Sequence, residues 1–355
     1  MTDTIHYSRC HVPTPLGIAS QLGWLGTTAA QHGATLLALR DVDNLAVRRS
    51  HYDHSQLDSI RQGGSTPAIW ARASGADTRV IGLTWTDEFQ AIIALRSSGI
   101  RSAADLRGRK LGVPRRPADD IVDFGRAQAE RGFHGALATA NLTPSDATFV
   151  LVDLTTTILD DPNAATRHRP AGSTGAEGDG AGSSAPLYAA LESGAVDAIY
   201  IKGGAARVIE KLAAVVVSDL GTHPDPLIRA NNCTPRPVTV DSHFLHTKPE
   251  LVVDLLARAV TAGAWAAADP QAGLAAVSAE TGVPLAALDR AYGPALAQHL
   301  RVDLAPATIA GFADYVAFLH RAGYLPHAVD VAAWIDHAPL AAALRKLAPA
   351  AVAVA

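Results

Sequence analysis

Short apolar runs alternate with amphipathic segments over most of the chain, a pattern typical of α/β proteins. The segment from Thr14 to Gly33 predicts one helix, because Thr14 suits the N-cap, Pro15 the first helical position and Gly33 the C-terminal stop. Residues 119–140 and most of the chain after residue 249 are also predicted to be helical. The apolar runs predict strands, which read "IHYSRC", "ATLLAL", "RVIGLTW", "AIIAL", "KLGVP", "ATFVLVDL", "DAIYIK" and "AVVVSDLG".

One segment, "DDPNAATRHRPAGSTGAEGDGAGSSAP", breaks this periodicity and is rich in Gly, Ser, Ala and Pro. Its composition predicts a mobile Gly-rich loop at about residues 165–185. No strand leads directly into a GxGxxG or GK[ST] turn, so these glycines do not indicate a phosphate-binding loop. A segment of this composition cannot bury a core, and we expect it to be cut early by proteases and to carry no catalysis.

The order of "SAADLRGRKLGVP" and "LYAALESGAVDAIYIKGG" resembles the type II periplasmic-binding-protein fold. That resemblance implies two α/β lobes with a ligand cleft between them and two crossings of the chain between the lobes. The first lobe is expected to comprise residues 1–97 plus 236–355, and the second residues 98–235. The crossings are accordingly expected near residues 96–100 and 233–240.

The amino-acid composition limits the kinds of molecule that this chain is expected to bind. Hydrophobic residues make up 48% of the 355 residues, and 30 Lys and Arg against 34 Asp and Glu give a net charge of -4. No basic stripe suggests a nucleic-acid partner. Two cysteines cannot build a disulfide framework, the first ten residues lack a secretory pattern, and no apolar run reaches the roughly 18 residues of a membrane span. We expect a cytoplasmic monomer without a membrane partner.

Cys10 lies at the end of the first predicted strand and just before a predicted helix. Side chains alternate along a strand, so Ser8 and Cys10 share a face while Arg9 and His11 point the other way. The free N–H groups and positive dipole end of the following helix favour a thiolate at Cys10. The position is equally compatible with a buried structural cysteine.

The stretch "SHYDHSQLDSIRQGGSTP" offers a second candidate. The guanidinium of Arg61 can bind an oxyanion through two parallel hydrogen bonds, and the backbone at Gly63 and Gly64 can approach such a ligand closely beside a helix N-terminus. A solvated polar loop is the alternative. The spacing of His51, Asp53 and His54 is not that of HExxH, and the two cysteines form no CxxC pair, so no metal site is expected.

These residues together resemble the 2'-hydroxybiphenyl-2-sulfinate desulfinase family of dibenzothiophene desulfurisation. The active cysteine of that family lies in a Y-S-x-C-x-V-P stretch, which here reads "YSRCHVP". Its active histidine and arginine are ten residues apart and a Gly-Gly pair follows, as at His51, Arg61, Gly63 and Gly64 here. The resemblance continues through "ESGAVDAIY" and "AGAWAAADP".

The family has glutamine where Gln56 stands, but this chain departs from it elsewhere. The cysteine is flanked by Arg9 and His11 instead of asparagine and proline. His54 replaces a tyrosine, and the aromatic pocket residue near Phe124 is a tryptophan in the family.

The resemblance implies cofactor-free hydrolysis of the carbon–sulfur bond of a small aromatic sulfinate, with release of sulfite. Cys10, His51 and Arg61 would then be catalytic. Arg61 and the Gly64 amide would hold the sulfinate oxygens, and Cys10 would either protonate the ring carbon or attack the sulfur. The remaining substrate-binding residues are expected to be Ser8, His54, Gln56, Gly63 and Phe124.

Two other functions fit parts of this pattern. A non-catalytic solute-binding protein for a sulfonate- or nitrate-like anion would use Arg61 and helix N-termini without needing Cys10. A pyrimidine-precursor enzyme of the same fold is a third possibility, but no cysteine-rich iron-binding motif supports it. Cys233 is expected to be an ordinary free thiol at a lobe crossing. Arg115 and Arg116 follow the strand "KLGVP" and could face the cleft, but a solvated pair is expected.

Overall fold

Ten strands form two separate five-stranded sheets in the computed structural model, which describes residues 3–8, 10, 12–118, 120–159 and 181–348. The first sheet has the strand order β2-β1-β3-β10-β4 and the second the order β7-β6-β8-β5-β9. In chain order the strands are β1 (Asp3–Ser8), β2 (Ala34–Ala38), β3 (Ser59–Gln62), β4 (Thr78–Thr84), β5 (Gln90–Leu95), β6 (Lys110–Arg115), β7 (Thr148–Asp153), β8 (Ala198–Lys202), β9 (Ala214–Asp219) and β10 (Arg236–Asp241).

Helices cover the faces of both sheets. The helices before β5 are α1 (Pro15–Gln21), α2 (Trp24–Gln31), α3 (Leu45–Asp53) and α4 (Ser65–Ala73). The helices between β5 and β10 are α5 (Phe124–Thr139), α6 (Ala181–Glu192), α7 (Val208–Lys211) and α8 (Pro226–Arg229). The helices after β10 are α9 (Ser242–Thr247), α10 (Pro249–Ala268), α11 (Pro270–Thr281), α12 (Leu285–Tyr292), α13 (Pro306–Arg321), α14 (Val331–Trp334) and α15 (Ala338–Leu347).

Each sheet contains one strand that runs antiparallel to its neighbours. β10 is antiparallel to β3 and β4, and β5 is antiparallel to β8 and β9. Both are the strands by which the chain enters a sheet from the other lobe. The two sheets therefore define the two-lobed α/β fold that the sequence predicts.

The first lobe boundary lies earlier than predicted. β5 pairs only with strands of the second sheet, so the chain crosses between β4 and β5, within residues 85–89, and the predicted limit at residue 97 is wrong. Ile92 and Ile93 are fully buried in two different clusters, on opposite faces of β5. A strand that is apolar on both faces fits the interior of either sheet, so its sequence does not reveal its lobe. The chain returns to the first sheet at Arg236.

The first helix prediction needs a smaller correction. Thr14 is the N-cap of α1, where its side chain accepts a hydrogen bond from the Gly17 N–H, and Pro15 occupies the first turn. The predicted single helix is nevertheless divided into α1 and α2 at Gly23, whose φ of 75° lies in the left-handed region. Glycine adopts that conformation without steric cost, and the helix direction changes there.

Two of the elements that carry the site, α3 and β3, are not predicted by the hydrophobic pattern. α3 has few apolar residues and β3 has four residues in all, so neither shows a clear period. Asn44 caps α3 by accepting a hydrogen bond from the Ala46 N–H. β3 lies between β1 and β10, and this central place buries Ile60, Arg61 and Gln62.

The helix predicted from residue 119 begins at Phe124, because Asp123 accepts a hydrogen bond from the Arg126 N–H as its N-cap. Most of the predicted loop at residues 165–185 lies outside the described residues. Its last five residues form the beginning of α6.

A large core cluster packs α1, α10, α11 and α12 against β1, β3 and β10 of the first sheet. Within the described part of the chain, α10 is the one helix long and apolar enough to cross a membrane by length and composition. Half of that stretch is buried inside the protein, as is usual for a core helix.

Candidate active site

The candidate residues meet at the carboxyl ends of two neighbouring parallel strands. β1 and β3 pair so that Ser8 lies opposite Arg61. Cys10 follows the end of β1, and Gly63 and Gly64 connect β3 to α4. In open α/β sheets, ligands bind outside the carboxyl ends of such strands. The register thus brings together residues that are far apart in the sequence.

His51 is held against β1 by a buried hydrogen bond. Its Nδ1 lies 2.5 Å from the Ser8 Oγ, and both residues are buried. On its other side the imidazole contacts the Tyr52 ring edge to face, with centroids 4.9 Å apart. The ring orientation of His51 is therefore fixed by both contacts.

Arg61 is a buried cation, and only two of its three guanidinium nitrogens are hydrogen-bonded within the described residues. Its Nε donates to the His51 carbonyl at 3.0 Å and its Nη2 to the Gly64 carbonyl at 2.8 Å. Its Nη1 has no hydrogen-bond partner among the described residues, although the side chain is only 3% exposed. Burial lowers the pKa of Arg61, but an arginine stays protonated in proteins. A buried donor without a partner is costly, and an oxyanion would satisfy it.

Cys10 lies next to Gly63, and Cys233 lies next to Gly64. A Cβ atom on Gly63 would lie 2.8 Å from the Sγ of Cys10, and one on Gly64 would lie 3.3 Å from the Sγ of Cys233. Cys10 is partly exposed, whereas Cys233 is buried. Burial raises the pKa of the Cys233 thiol, although Lys202 and Arg236 oppose the shift. The structure thus brings both thiols of the chain to one short loop.

A cavity of about 290 Å³ is lined by residues of the second lobe. Phe124 links this cavity to the neighbourhood of His51, because it lines the cavity and stacks on Tyr52 with ring centroids 6.0 Å apart. The volume is near the lower end of the range for small-molecule sites. The other residues on its wall include Arg116, Gln128, Leu154, Leu187, Tyr188 and Lys202.

Only one of the two arginines that were expected to be solvated is exposed. Arg115 forms an exposed ion pair with Asp153. Arg116 instead lines the cavity, and its Nη1 donates to the Thr156 and Thr157 carbonyls. Arg115 is the last residue of β6 and Arg116 follows it; the two side chains have different surroundings, which their shared charge does not reveal.

The remaining predicted residues lie at different distances from the cluster. His54 is the C-cap of α3 in the left-handed region, and neither ring nitrogen has a hydrogen-bond partner among the described residues. Burial and the nearby Arg61 hold the pKa of His54 well below its usual value. The Gln56 side-chain amide donates to the Leu57 carbonyl at 3.4 Å, and its contact with substrate stays a prediction. Arg9 and His11 lie outside the described residues.

The turn at residues 231–234 was not predicted as part of the site. The Asn231 and Thr234 N–H groups each donate to the other's carbonyl, and Cys233 has a φ of 73°. Consecutive asparagines are a turn signal, since asparagine tolerates the conformations that turns require. That signal is present in "NNCTP", but it does not show that the turn reaches Gly64.

No group of three or more His, Cys, Asp or Glu within the described ranges could hold a metal ion. The chemistry available at the loop is therefore that of two thiols, one imidazole and one buried guanidinium.

The fold class agrees with solved structures of solute-binding proteins. A periplasmic sulfonate-binding protein SsuA from Methylobacillus flagellatus superposes with a TM-score of 0.69 at 17% identity, over 97% of this chain and 94% of that chain. An NMT1/THI5-like family model matches residues 64–161. Together with the two sheets, these matches define a type II periplasmic-binding-protein-like fold.

More specific similarity is to the desulfinases. A 2'-hydroxybiphenyl-2-sulfinate desulfinase from Rhodococcus erythropolis is 29% identical over 322 residues, which cover 84% of this chain and 82% of the relative. The crystal structure of the desulfurization enzyme DSZB superposes with a TM-score of 0.74 at 26% identity, over 97% of this chain and 99% of that chain. A cysteine-to-serine mutant of DSZB in complex with biphenyl-2-sulfinic acid gives a TM-score of 0.73. The resemblance to 2'-hydroxybiphenyl-2-sulfinate desulfinase is thereby confirmed.

Proposed function

We propose that this chain is an aromatic sulfinate desulfinase. It would cleave the carbon–sulfur bond of an aryl sulfinate with water, so that the ring carbon gains a proton and the sulfur leaves as hydrogen sulfite. The observation that carries the proposal is that the buried Arg61 guanidinium and the Cys10 thiol both lie beside Gly63, while the Arg61 Nη1 has no partner among the described residues. The related desulfinase and its structural match support this choice of substrate.

The loop and Arg61 suit the sulfinate group. A sulfinate carries one negative charge over two oxygens, and a guanidinium presents parallel N–H donors to such a group. α4 begins directly after Gly64, so its first N–H groups and its dipole also favour a bound anion. We therefore assign the sulfinate oxygens to Arg61 and the N–H groups at Gly64.

Cys10 is placed beside the sulfinate position through its contact with Gly63. As a proton donor the thiol would protonate the ring carbon while the carbon–sulfur bond breaks; water would then convert the released sulfur dioxide to hydrogen sulfite and return a proton to the thiolate. As a nucleophile its thiolate would attack the sulfur as the carbon–sulfur bond breaks, and the ring carbon would take a proton from water. The hydroxide that remains would then attack the sulfur, release hydrogen sulfite and restore the thiolate. His51, held by Ser8, would tune the charge at Cys10 and the sulfinate.

The cavity in the second lobe suits the aromatic ring. Phe124, Leu187 and Tyr188 supply apolar wall, and the stacked Tyr52 connects this wall to His51. Neither route calls for a cofactor, because water and the thiol supply every group that is transferred. We place the enzyme in the cytoplasm, where its two free thiols would remain reduced.

A solute-binding protein for an organic sulfonate is the second candidate, because SsuA-type proteins share the fold. Such a protein would use Arg61 and the start of α4 but would not need a thiol beside them. The partly exposed Cys10 against Gly63 favours the enzyme.

Sulfite release from a panel of aryl sulfinates, including biphenyl-2-sulfinate, tests the proposal. We expect release by the wild-type protein and none by Cys10→Ser, which should still bind the sulfinate. Binding without release by the wild type, unchanged in Cys10→Ser, would instead identify a solute-binding protein.

A further inference from the structure

We propose that Asn232 is a positioning residue of the oxyanion site, which holds the start of α4 in place and ties it to the second lobe. This inference rests on the proposed function for the identity of the anion. The geometry itself involves residues outside the predicted cluster.

Asn232 provides the cap that α4 does not supply for itself. The N-cap of this helix is Gly64, which has no side chain to accept a hydrogen bond. The Thr66 N–H, in the first turn, donates instead to the Asn232 Oδ1 at 3.0 Å, across 166 residues of sequence. The first N–H groups of a helix lack partners within the helix, and such a bond normally comes from the N-cap residue itself.

The absence of a side chain at position 64 makes this arrangement possible. A Cβ atom on Gly64 would lie 3.0 Å from the Asn232 Oδ1 and 3.5 Å from its Nδ2. A capping serine or aspartate at position 64 would therefore compete with Asn232 for the same space. Position 64 therefore stays without a side chain, and the capping oxygen comes from Asn232 instead.

The same asparagine is held by the second lobe. Its Nδ2 donates to the Gln128 Oε1 at 3.3 Å, and its carbonyl accepts from the Lys202 Nζ at 2.7 Å. The adjacent Asn231 donates from Nδ2 to the Gln128 carbonyl and to the Tyr200 hydroxyl, at 3.0 and 3.2 Å. Asn232 itself is only 5% exposed. One buried turn thus joins α4 of the first lobe to α5 and β8 of the second.

This connection links the two halves of the proposed substrate site. Gln128 and Lys202 both line the cavity assigned to the ring, while Thr66 and Gly64 belong to the oxyanion end. A shift of the second lobe would move Asn232 and with it the start of α4. Asn232 therefore couples the position of the ring pocket to the affinity for the anion.

The test measures binding rather than turnover. In a Cys10→Ser background, calorimetry would compare inorganic sulfite, which probes the oxyanion end alone, with biphenyl-2-sulfinate. We expect Asn232→Ala to weaken both about tenfold, the factor that loss of a helix cap represents. Asp269→Ala is the matched control, because Asp269 caps α11 by the same kind of bond to the Ala272 N–H. It should cost similar stability and leave both affinities unchanged.

Asn232→Asp covers the case in which the alanine variant does not fold. The aspartate keeps an acceptor for Thr66, so we expect near-normal thermal stability, but its negative charge should repel sulfite. Sulfite affinity within twofold of the parent in folded Asn232→Ala or Asn232→Asp would overturn the inference, and so would an equal loss in Asp269→Ala.

If the wild type binds biphenyl-2-sulfinate but releases no sulfite, the proposed activity fails while the Asn232 comparison still decides the positioning role. If neither ligand binds, both proposals fail.

Discussion

Cys10 and Cys233 approach one loop from two different parts of the molecule. Cys10 follows β1 and contacts Gly63, whereas Cys233 lies in the turn that leads back into the first lobe and contacts Gly64. Cys10 is partly exposed and Cys233 is 5% exposed. The thiolate is the reactive form of cysteine, and burial in the protein opposes it at Cys233. Two thiols at similar distance from the loop therefore differ in access, and the buried one is held in its neutral form.

The comparison teaches that closeness to the site does not assign a catalytic role. Arg61 is within electrostatic reach of both cysteines, and each opposes the lowering of its pKa by burial. Only Cys10 combines this position with exposure. We interpret Cys233 as a neutral thiol that packs under Gly64 in the turn that presents Asn232. The expectation of an ordinary thiol at a lobe crossing thus described its place but not its contact with the loop.

Serine substitution at each cysteine is the strongest way to break this comparison. Cys10→Ser should lower the rate of sulfite release about a hundred- to ten-thousandfold, the range for loss of a proton-transfer group, because a hydroxyl is far less acidic and less nucleophilic. Cys233→Ser should stay within a few-fold of the wild type. Steady-state assays with thermal melting as the folding control would measure both. A comparable loss in the two variants would remove the distinction between the thiols.

Alanine at each glycine tests the two contacts separately. A Cβ at position 63 would meet the Cys10 Sγ at 2.8 Å and must displace it, whereas one at position 64 would meet Asn232 and Cys233 at 3.0 and 3.3 Å. A misplacement of about 1 Å can cost about a hundredfold in rate, so Gly63→Ala should lower kcat by about that factor. Gly64→Ala should act mainly on KM. The reverse pattern, or no effect of Gly63→Ala, would contradict the placement of Cys10.

Arg61→Lys tests the guanidinium that lies within electrostatic reach of both thiols. Lysine keeps the charge but lacks the planar set of donors that binds His51, Gly64 and the proposed sulfinate. A charge-assisted hydrogen bond is worth about 1.5–3 kcal/mol, so loss of one should lower kcat/KM about ten- to a hundredfold. Steady-state kinetics on the best sulfinate would measure it. A folded Arg61→Lys variant within about twofold of the wild type would mean that Arg61 does not anchor the anion.

The sequence was sufficient for the parts of this site that are local or marked by a motif. Thr14 and Pro15 define the start of α1, and the match of His51, Arg61 and the Gly pair to the desulfinase family predicted the cluster. The lobe of β5 was not predictable, because a strand apolar on both faces fits either sheet. The contact of Asn232 with α4 joins residues 166 positions apart, and no local pattern encodes it.

The smallest expected effect concerns stability at high pH. Burial raises the pKa of Cys233 above its ordinary value of 9.0, so above pH 9 the unfolded chain loses this proton while the folded protein retains it. The free energy of unfolding that this group contributes is complete below pH 9 and declines as pH rises, by at most about 1.4 kcal/mol per pH unit. Cys233→Ser should therefore lose stability less steeply than the wild type between pH 9 and 10.

Urea unfolding at several pH values would show the difference, with Cys10→Ser as the comparison. Parallel curves for Cys233→Ser and the wild type would mean that Cys233 ionises as readily in the folded protein as in the unfolded chain, and the assignment of Cys10 as the reactive thiol would lose its electrostatic basis.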